Sequence, residues 1–190
     1  MREKPSTHES PWWLAKEKLM EFIKKNLCAL IVAGAGVLAL IFGLILPGMT
    51  YVTKTYSTTV GLIGLFFGAP AIVTTTGPIT TTGSFSGGLS VFGLLSFLAL
   101  IAGITLTIVS IFVKDKKLDL IGAILVAVAG VLVFLLMTAG TEVFYEGSSF
   151  GTFNEVFEGF SLGAGTIIYG IVALLGGAFG VLNNFKKIVK

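Results

Sequence analysis

The stretch LSVFGLLSFLALIAGITLTIVSIFVKDKKLDLIGAILVAVAGVLVFLLMT, residues 89–138, sets two long apolar runs on either side of a short basic cluster. Neither 89–113 nor 120–138 contains an ionisable side chain, and Lys114, Asp115, Lys116, Lys117 and Asp119 lie between them. A helix rises about 1.5 Å per residue, so about 20 apolar residues cross a hydrocarbon core of about 30 Å. The pair therefore reads as a transmembrane hairpin whose turn, 114–119, sits at a polar surface.

Two more runs of the same kind lie outward from it, at 27–46 and 162–182. The whole chain has 190 residues, 54% of them hydrophobic and 12% charged, with mean hydropathy +0.95. A soluble domain of this length cannot bury so much apolar surface, so lipid must cover the remainder. The expected fold class is membrane all-α, a four-transmembrane-helix bundle.

Charge orients it. Of the 13 Lys and Arg residues, six precede Asn26, three lie in the 114–119 turn and three are in the 183–190 tail. The loops 47–88 and 139–161 share only Lys54. Basic residues are retained on the cytoplasmic side, which predicts a multi-pass protein of the cell membrane with both termini cytoplasmic. A cleaved signal peptide is the rival reading of the first span. Its core would be about 7–15 residues, shorter than 27–46, and the charged arm before it is long. Cys28 is the only cysteine, so it forms no intrachain disulfide and packs as a small apolar residue.

The arm, 1–26, has an amphipathic pattern. Ser10 and Pro11 suit a helix start, after which Trp12, Trp13, Leu19, Met20, Phe22 and Ile23 share one face and Glu17, Lys18, Glu21, Lys24 and Lys25 the other. This predicts an in-plane helix anchored at the interface by Trp12, Trp13 and Phe22, with the lipid bilayer as its partner. A straight cytoplasmic extension of the first span, or a dock for a protein, is the alternative.

The loop 47–88 departs from a plain helical hairpin. Eleven Thr fall between Thr50 and Thr82, among Tyr51, Val52, Val60, Ile72 and Val73. These residue types favour strands. Two strands are expected around Gly77 and Pro78, with others at 51–56 and 60–67. The 61–68 segment admits a second reading as a re-entrant helix, because Gly64 and Gly68 have helix-packing spacing. In the loop 139–161, Glu142 to Glu146 reads as one short strand, and Phe150, Phe153, Phe157 and Phe160 recur at helical spacing as a candidate outer aromatic surface. Together these predict a small extracellular β-sheet built from the two outer loops.

This order of spans and strands, with a very short basic turn between the middle spans, resembles the claudin-like four-span plan, and Gly61 to Phe66 stands where that family has its Gly-Leu-Trp segment. The resemblance implies that strands of both outer loops share one sheet. It extends to architecture only, since no Trp lies outside the arm and no cysteine pair occurs in the first loop. The chain resembles uncharacterised prokaryotic four-span proteins more closely. A faint repeat at an offset of 94 also pairs Ala35-Gly36-Val37-Leu38 with Ala129-Gly130-Val131-Leu132.

Small residues at intervals of four mark candidate helix-packing stripes: Ala35, Ala39 and Gly43, then Ala123 and Ala127, then Gly176 and Gly180, with Ala173 and Gly177 beside the last. Such stripes let backbones approach closely where no hydrophobic force separates helices from lipid. They leave room for a homo-oligomer or a larger membrane complex.

The expected function is non-enzymatic. Ion-coupled transporters place Asp, Glu, His, Lys or Arg inside their spans, and these spans have none. Metal and haem sites need clustered His, Cys or carboxylates, and the lone His8 lies in the cytoplasmic arm, across the bilayer from the outer Glu residues. Gly147, Ser149 and Gly151 match a serine-hydrolase pattern without its strand-to-helix context or a base. Neither cofactors nor nucleic acid are expected, because the basic residues belong to the topology signal. Two classes remain. One is a structural or interaction protein, such as an accessory subunit of a membrane or envelope complex, presenting a Thr-rich surface. The other is a passive channel or transport component formed by oligomerisation.

Overall fold

The computed structural model describes residues 11–52, 57–67, 71–76, 81–85, 90–138, 142–145, 148–152, 155 and 158–188. Helix α1 runs Pro11–Ile45, 35 residues, and at 1.5 Å per residue is about 52 Å long, well beyond a hydrocarbon core of about 30 Å. It is broken at Asn26, whose backbone lies at φ −109°, ψ 15°. The cause is local. The Asn26 side-chain amide donates to the Phe22 carbonyl at 3.0 Å, four residues back, and so takes an acceptor of the helical ladder. Residues 27–45, past the kink, rise about 29 Å.

After α1 come β1 (Pro47–Val52), β2 (Ser57–Gly61), a short helix α2 (Leu62–Phe67), β3 (Ala71–Thr76) and β4 (Thr81–Phe85). Helix α3 (Val91–Val113) is capped by Ser90, whose hydroxyl accepts from the Gly93 amide. It ends on Lys114 in the left-handed region at φ 58°. Asp115 follows at once as the cap of α4 (Lys116–Phe134), its Oδ1 accepting from the Lys117 amide at 2.8 Å. The polar turn is therefore only Lys114 and Asp115, not 114–119, and α4 starts four residues before the expected 120 and ends at 134 rather than 138. The expectation missed the cap: a charged residue is excluded from the hydrocarbon, not from the helix.

Strands β5 (Glu142–Tyr145) and β6 (Ser148–Thr152) form a separate hairpin, and β7 (Ser161–Leu162) leads into α5 (Ala164–Ile188). Three expectations are corrected here. The hairpin replaces a single strand, Phe150 lies in β6 rather than on an aromatic helix, and α5 continues through residue 188 into the basic tail instead of ending at 182. The strand expected over 60–67 is likewise β2 as far as Gly61 and then the helix α2.

Four helices, Leu14–Ile45, Val91–Val113, Lys116–Phe134 and Ala164–Phe185, are long and apolar enough to cross a membrane, consistent with a multi-pass membrane protein. Only 33–44% of each one's most apolar window is buried inside the protein, so most of that surface needs lipid to cover it. They form a bundle in which α1 packs on α3 and α5, and α4 on the same two. Backbones also meet closely where α3 crosses α4. A Cβ on Gly103 would stand 2.9 Å from the Gly122 carbonyl oxygen, and one on Gly122 would stand 2.9 Å from that of Gly103.

Candidate functional site at the sheet-bearing end

One end of the bundle carries an antiparallel five-stranded sheet in the order β4-β3-β2-β1-β7. Four strands come from the first long connection and the fifth from the second, so the sheet ties the two together. Its join to the helices starts at a register irregularity between Pro47 and Met49. There the Gly48 carbonyl accepts from the Gly163 amide at 2.8 Å, continuing the β1–β7 register, and from Thr166 Oγ1 at 2.6 Å, both at the start of α5. A Cβ on Gly48 would lie 2.8 Å from Leu62 Cα, so the strand lies directly against α2 as well.

Helix α2 plugs the end of the bundle. Leu62, Leu65 and Phe66 are fully buried, and the Phe66 ring lies 5.5 Å from that of Phe97 and 5.9 Å from that of Tyr169. Ser90 joins the parts: its amide donates to the Leu65 carbonyl at 2.9 Å and its hydroxyl to the Leu136 carbonyl at 2.9 Å. Below the plug, Ser96 Oγ donates to the Ala129 carbonyl at 2.7 Å and lies 3.1 Å from the Tyr169 hydroxyl, linking α3, α4 and α5 through buried groups. The centre is thus filled by side chains.

The strand registers place like residues in rows. Ser161, Thr50, Thr59, Thr74 and Thr82 lie side by side across all five strands, and Ser57 pairs with Thr76 two positions along. Residues of one row share a face, and alternate rows share it too, so these hydroxyl-bearing positions occupy the same side of the sheet. Strands stand about 4.8 Å apart, which makes the row a regular ladder about 19 Å long. The alternate face begins with Met49 and Val60, both fully buried. Thr50 Oγ1 and Ser161 Oγ stand 3.3 Å apart, and the Ser161 hydroxyl also donates to the Thr50 carbonyl.

The expected site residues fall into distinct places. Of the packing stripes, Ala39, Ala123 and Ala173 are buried; a Cβ on Gly43 would lie 2.9 Å from Tyr169 Cδ2; and one on Gly180 would meet Val32 Cγ2 at 2.5 Å and Ala123 Cβ at 2.7 Å. Gly176 faces Ala35, and Gly177 faces Ala127 and the Ala123 carbonyl. The stripes of α1, α4 and α5 therefore converge on each other within one chain. At the other end, Trp12 and Phe22 are exposed on α1, which also holds Trp13. Of the outer aromatics, Phe160 is half-buried, its ring 5.6 Å from that of Tyr51. Phe153 and Phe157 lie outside the described residues, as do Gly77, Pro78, His8 and Gly147. Ser149 is within β6, on a hairpin rather than a nucleophile elbow. The sequence reading missed Ser161 as the end of the hydroxyl row, since a two-residue strand has no periodicity to detect.

Among the described residues, no group of three or more His, Cys, Asp or Glu is placed to hold a metal ion. No family model matches the chain, and no curated protein matches it.

Proposed function

We propose that the chain is a membrane-embedded interaction platform, non-enzymatic, in which a lipid-covered bundle holds a hydroxyl-faced sheet outside the cell membrane for a partner in a membrane or envelope complex. One observation carries this reading: the unbroken row Ser161, Thr50, Thr59, Thr74 and Thr82 across the sheet. Side chains on one face of an antiparallel sheet are held at fixed spacing by the ladder beneath, which suits recognition rather than turnover. Orientation follows from basic residues retained in the cytoplasm, with Lys114, Lys116 and Lys117 at the end opposite the sheet. The single sheet drawn from both connections supports the claudin-like plan, and the plugged centre weighs against a lumen within one copy.

Two measurements test it. In a Cys28→Ala background, an impermeant maleimide added to intact cells should label Thr59→Cys and spare Lys117→Cys. A photocrosslinker at Thr50 should then give one discrete adduct in native membranes. Selective ion or solute flux through liposomes at ordinary protein density would sink the platform reading and favour a pore between copies.

A further inference from the structure

At the end opposite the sheet, α1 is kinked at Asn26, and a cleft opens on each side of the kink. The first, about 170 Å³, lies between α1, the α3–α4 turn and α5, and is lined by Lys25, Lys114, Lys116, Asp119 and Asn184. The second, about 210 Å³, lies between α1 and α5 and is lined by Lys24, Lys25, Leu27, Phe179 and Asn183. Lys25 belongs to both. Two acids share the first cleft: Asp115 caps α4, and Asp119 accepts from Asn184 Nδ2 at 3.0 Å through Oδ2 while its Oδ1 is buried without a partner, so Lys25, Lys114 and Lys116 outnumber the carboxylates there by one. Among the described residues none of the four lysines is held in an ion pair.

Lys114 adds a second observation. It occupies a left-handed backbone position at φ 58°, where glycine is the residue without penalty, in a chain that has 25 glycines. A long cationic side chain stands there at a conformational cost, directly on the first cleft. In the second cleft, Leu27 and Phe179 are exposed on helices apolar enough to lie in a bilayer, immediately beside Lys24 and Asn183. A ligand seated there touches hydrocarbon-facing side chains at one end and ammonium groups at the other.

We infer that the paired clefts at the Asn26 kink bind the phosphate headgroup of an anionic phospholipid, with an acyl chain along Leu27 and Phe179. The chemistry is a phosphate diester met by lysine ammonium groups at headgroup depth, and the apolar wall selects a lipid over a free anion. The inference rests on the bundle lying in a bilayer and not on the role of the sheet, so either can fail alone.

The test is native mass spectrometry of the full chain in mild detergent, titrated with phosphatidylglycerol, phosphatidylcholine or inorganic phosphate. Each lysine at an anionic lipid surface is worth about fivefold in binding, so the Lys25→Gln/Lys114→Gln pair should weaken phosphatidylglycerol binding about 25-fold and leave phosphatidylcholine unchanged. Lys25→Arg/Lys114→Arg should retain it, which separates lost charge from lost fold. Lys16→Gln/Lys18→Gln, on the same helix outside both clefts, should change it less than about twofold. Equal binding of the two lipids, equal losses in the two Gln pairs, or displacement of phosphatidylglycerol by equimolar inorganic phosphate would each overturn the proposal.

Discussion

Gly130→Ala, compared with Gly34→Ala, measures how far helix contact governs stability in this bundle. At Gly130 in α4, an added Cβ would stand 2.6 Å from the Leu174 amide nitrogen and 2.7 Å from the Gly170 carbonyl oxygen. Both are backbone atoms of α5, which cannot rotate aside. At Gly34 in α1, nothing lies within 4 Å of the added atom. Relief at 130 requires α4 and α5 to separate by about 0.8 Å, a gap that forfeits a quarter to a half of each dispersion contact along the seam. Overpacking of this kind costs about 1–3 kcal/mol. Both substitutions gain the same helix propensity, up to about 1 kcal/mol, so subtracting one from the other leaves the steric cost. Reversible unfolding of purified protein from micelles into sodium dodecyl sulfate reads both. Gly34→Ala should be neutral to about 1 kcal/mol more stable, with Gly130→Ala about 1–3 kcal/mol below it. A Gly130→Ala protein as stable as Gly34→Ala would refute the close α4–α5 seam.

Three further outcomes are expected. Tyr169→Phe and Ser96→Ala should each cost about 0.6–1.5 kcal/mol in the same assay and be non-additive when combined, because the Tyr169 hydroxyl and Ser96 Oγ share one hydrogen-bonded cluster. Thr166→Val, by removing a donor to the Gly48 carbonyl, should raise amide hydrogen exchange in β1 and β7 more than in α3, with a stability loss near 1 kcal/mol. Lys114→Gly should stabilise the fold by about 1 kcal/mol, relieving the left-handed strain, while reducing phosphatidylglycerol binding. If both quantities fall together, the positive φ at Lys114 is not where that strain resides.

The spans were legible because about 20 uncharged residues leave a chain few options near a bilayer. Their ends were not. Lys116 to Asp119 lie inside α4 because Asp115 offers a cap, and hydropathy carries no information about caps. The 61–68 segment was ambiguous on its residues alone, and tertiary packing decided it: Leu65 and Phe66 fill the end of the bundle as a helix, whereas a strand would turn alternate apolar residues away. The spacing of Phe150, Phe153, Phe157 and Phe160 fitted a helix by period, yet Phe150 lies in β6 of a hairpin, at its register irregularity. Thr-rich strands were readable from composition, while the row that organises them depends on register, a long-range property. The clefts at the kink were invisible for the same reason, being assembled from parts of α1, the α3–α4 turn, α4 and α5.

The pairing of β1 with β7 also sets a timetable for synthesis. Thr50 and Ser161 are 111 residues apart, so at about 5–20 residues per second the strand that covers β1 leaves the ribosome roughly 6–22 s later. Until then one flank of β1 displays unpaired amides and carbonyls, a template for the wrong chain. The closed flank is anchored at the start of α5, where the Gly163 amide and the Thr166 hydroxyl grip the Gly48 carbonyl. A chain truncated before β7 would leave that flank of β1 open.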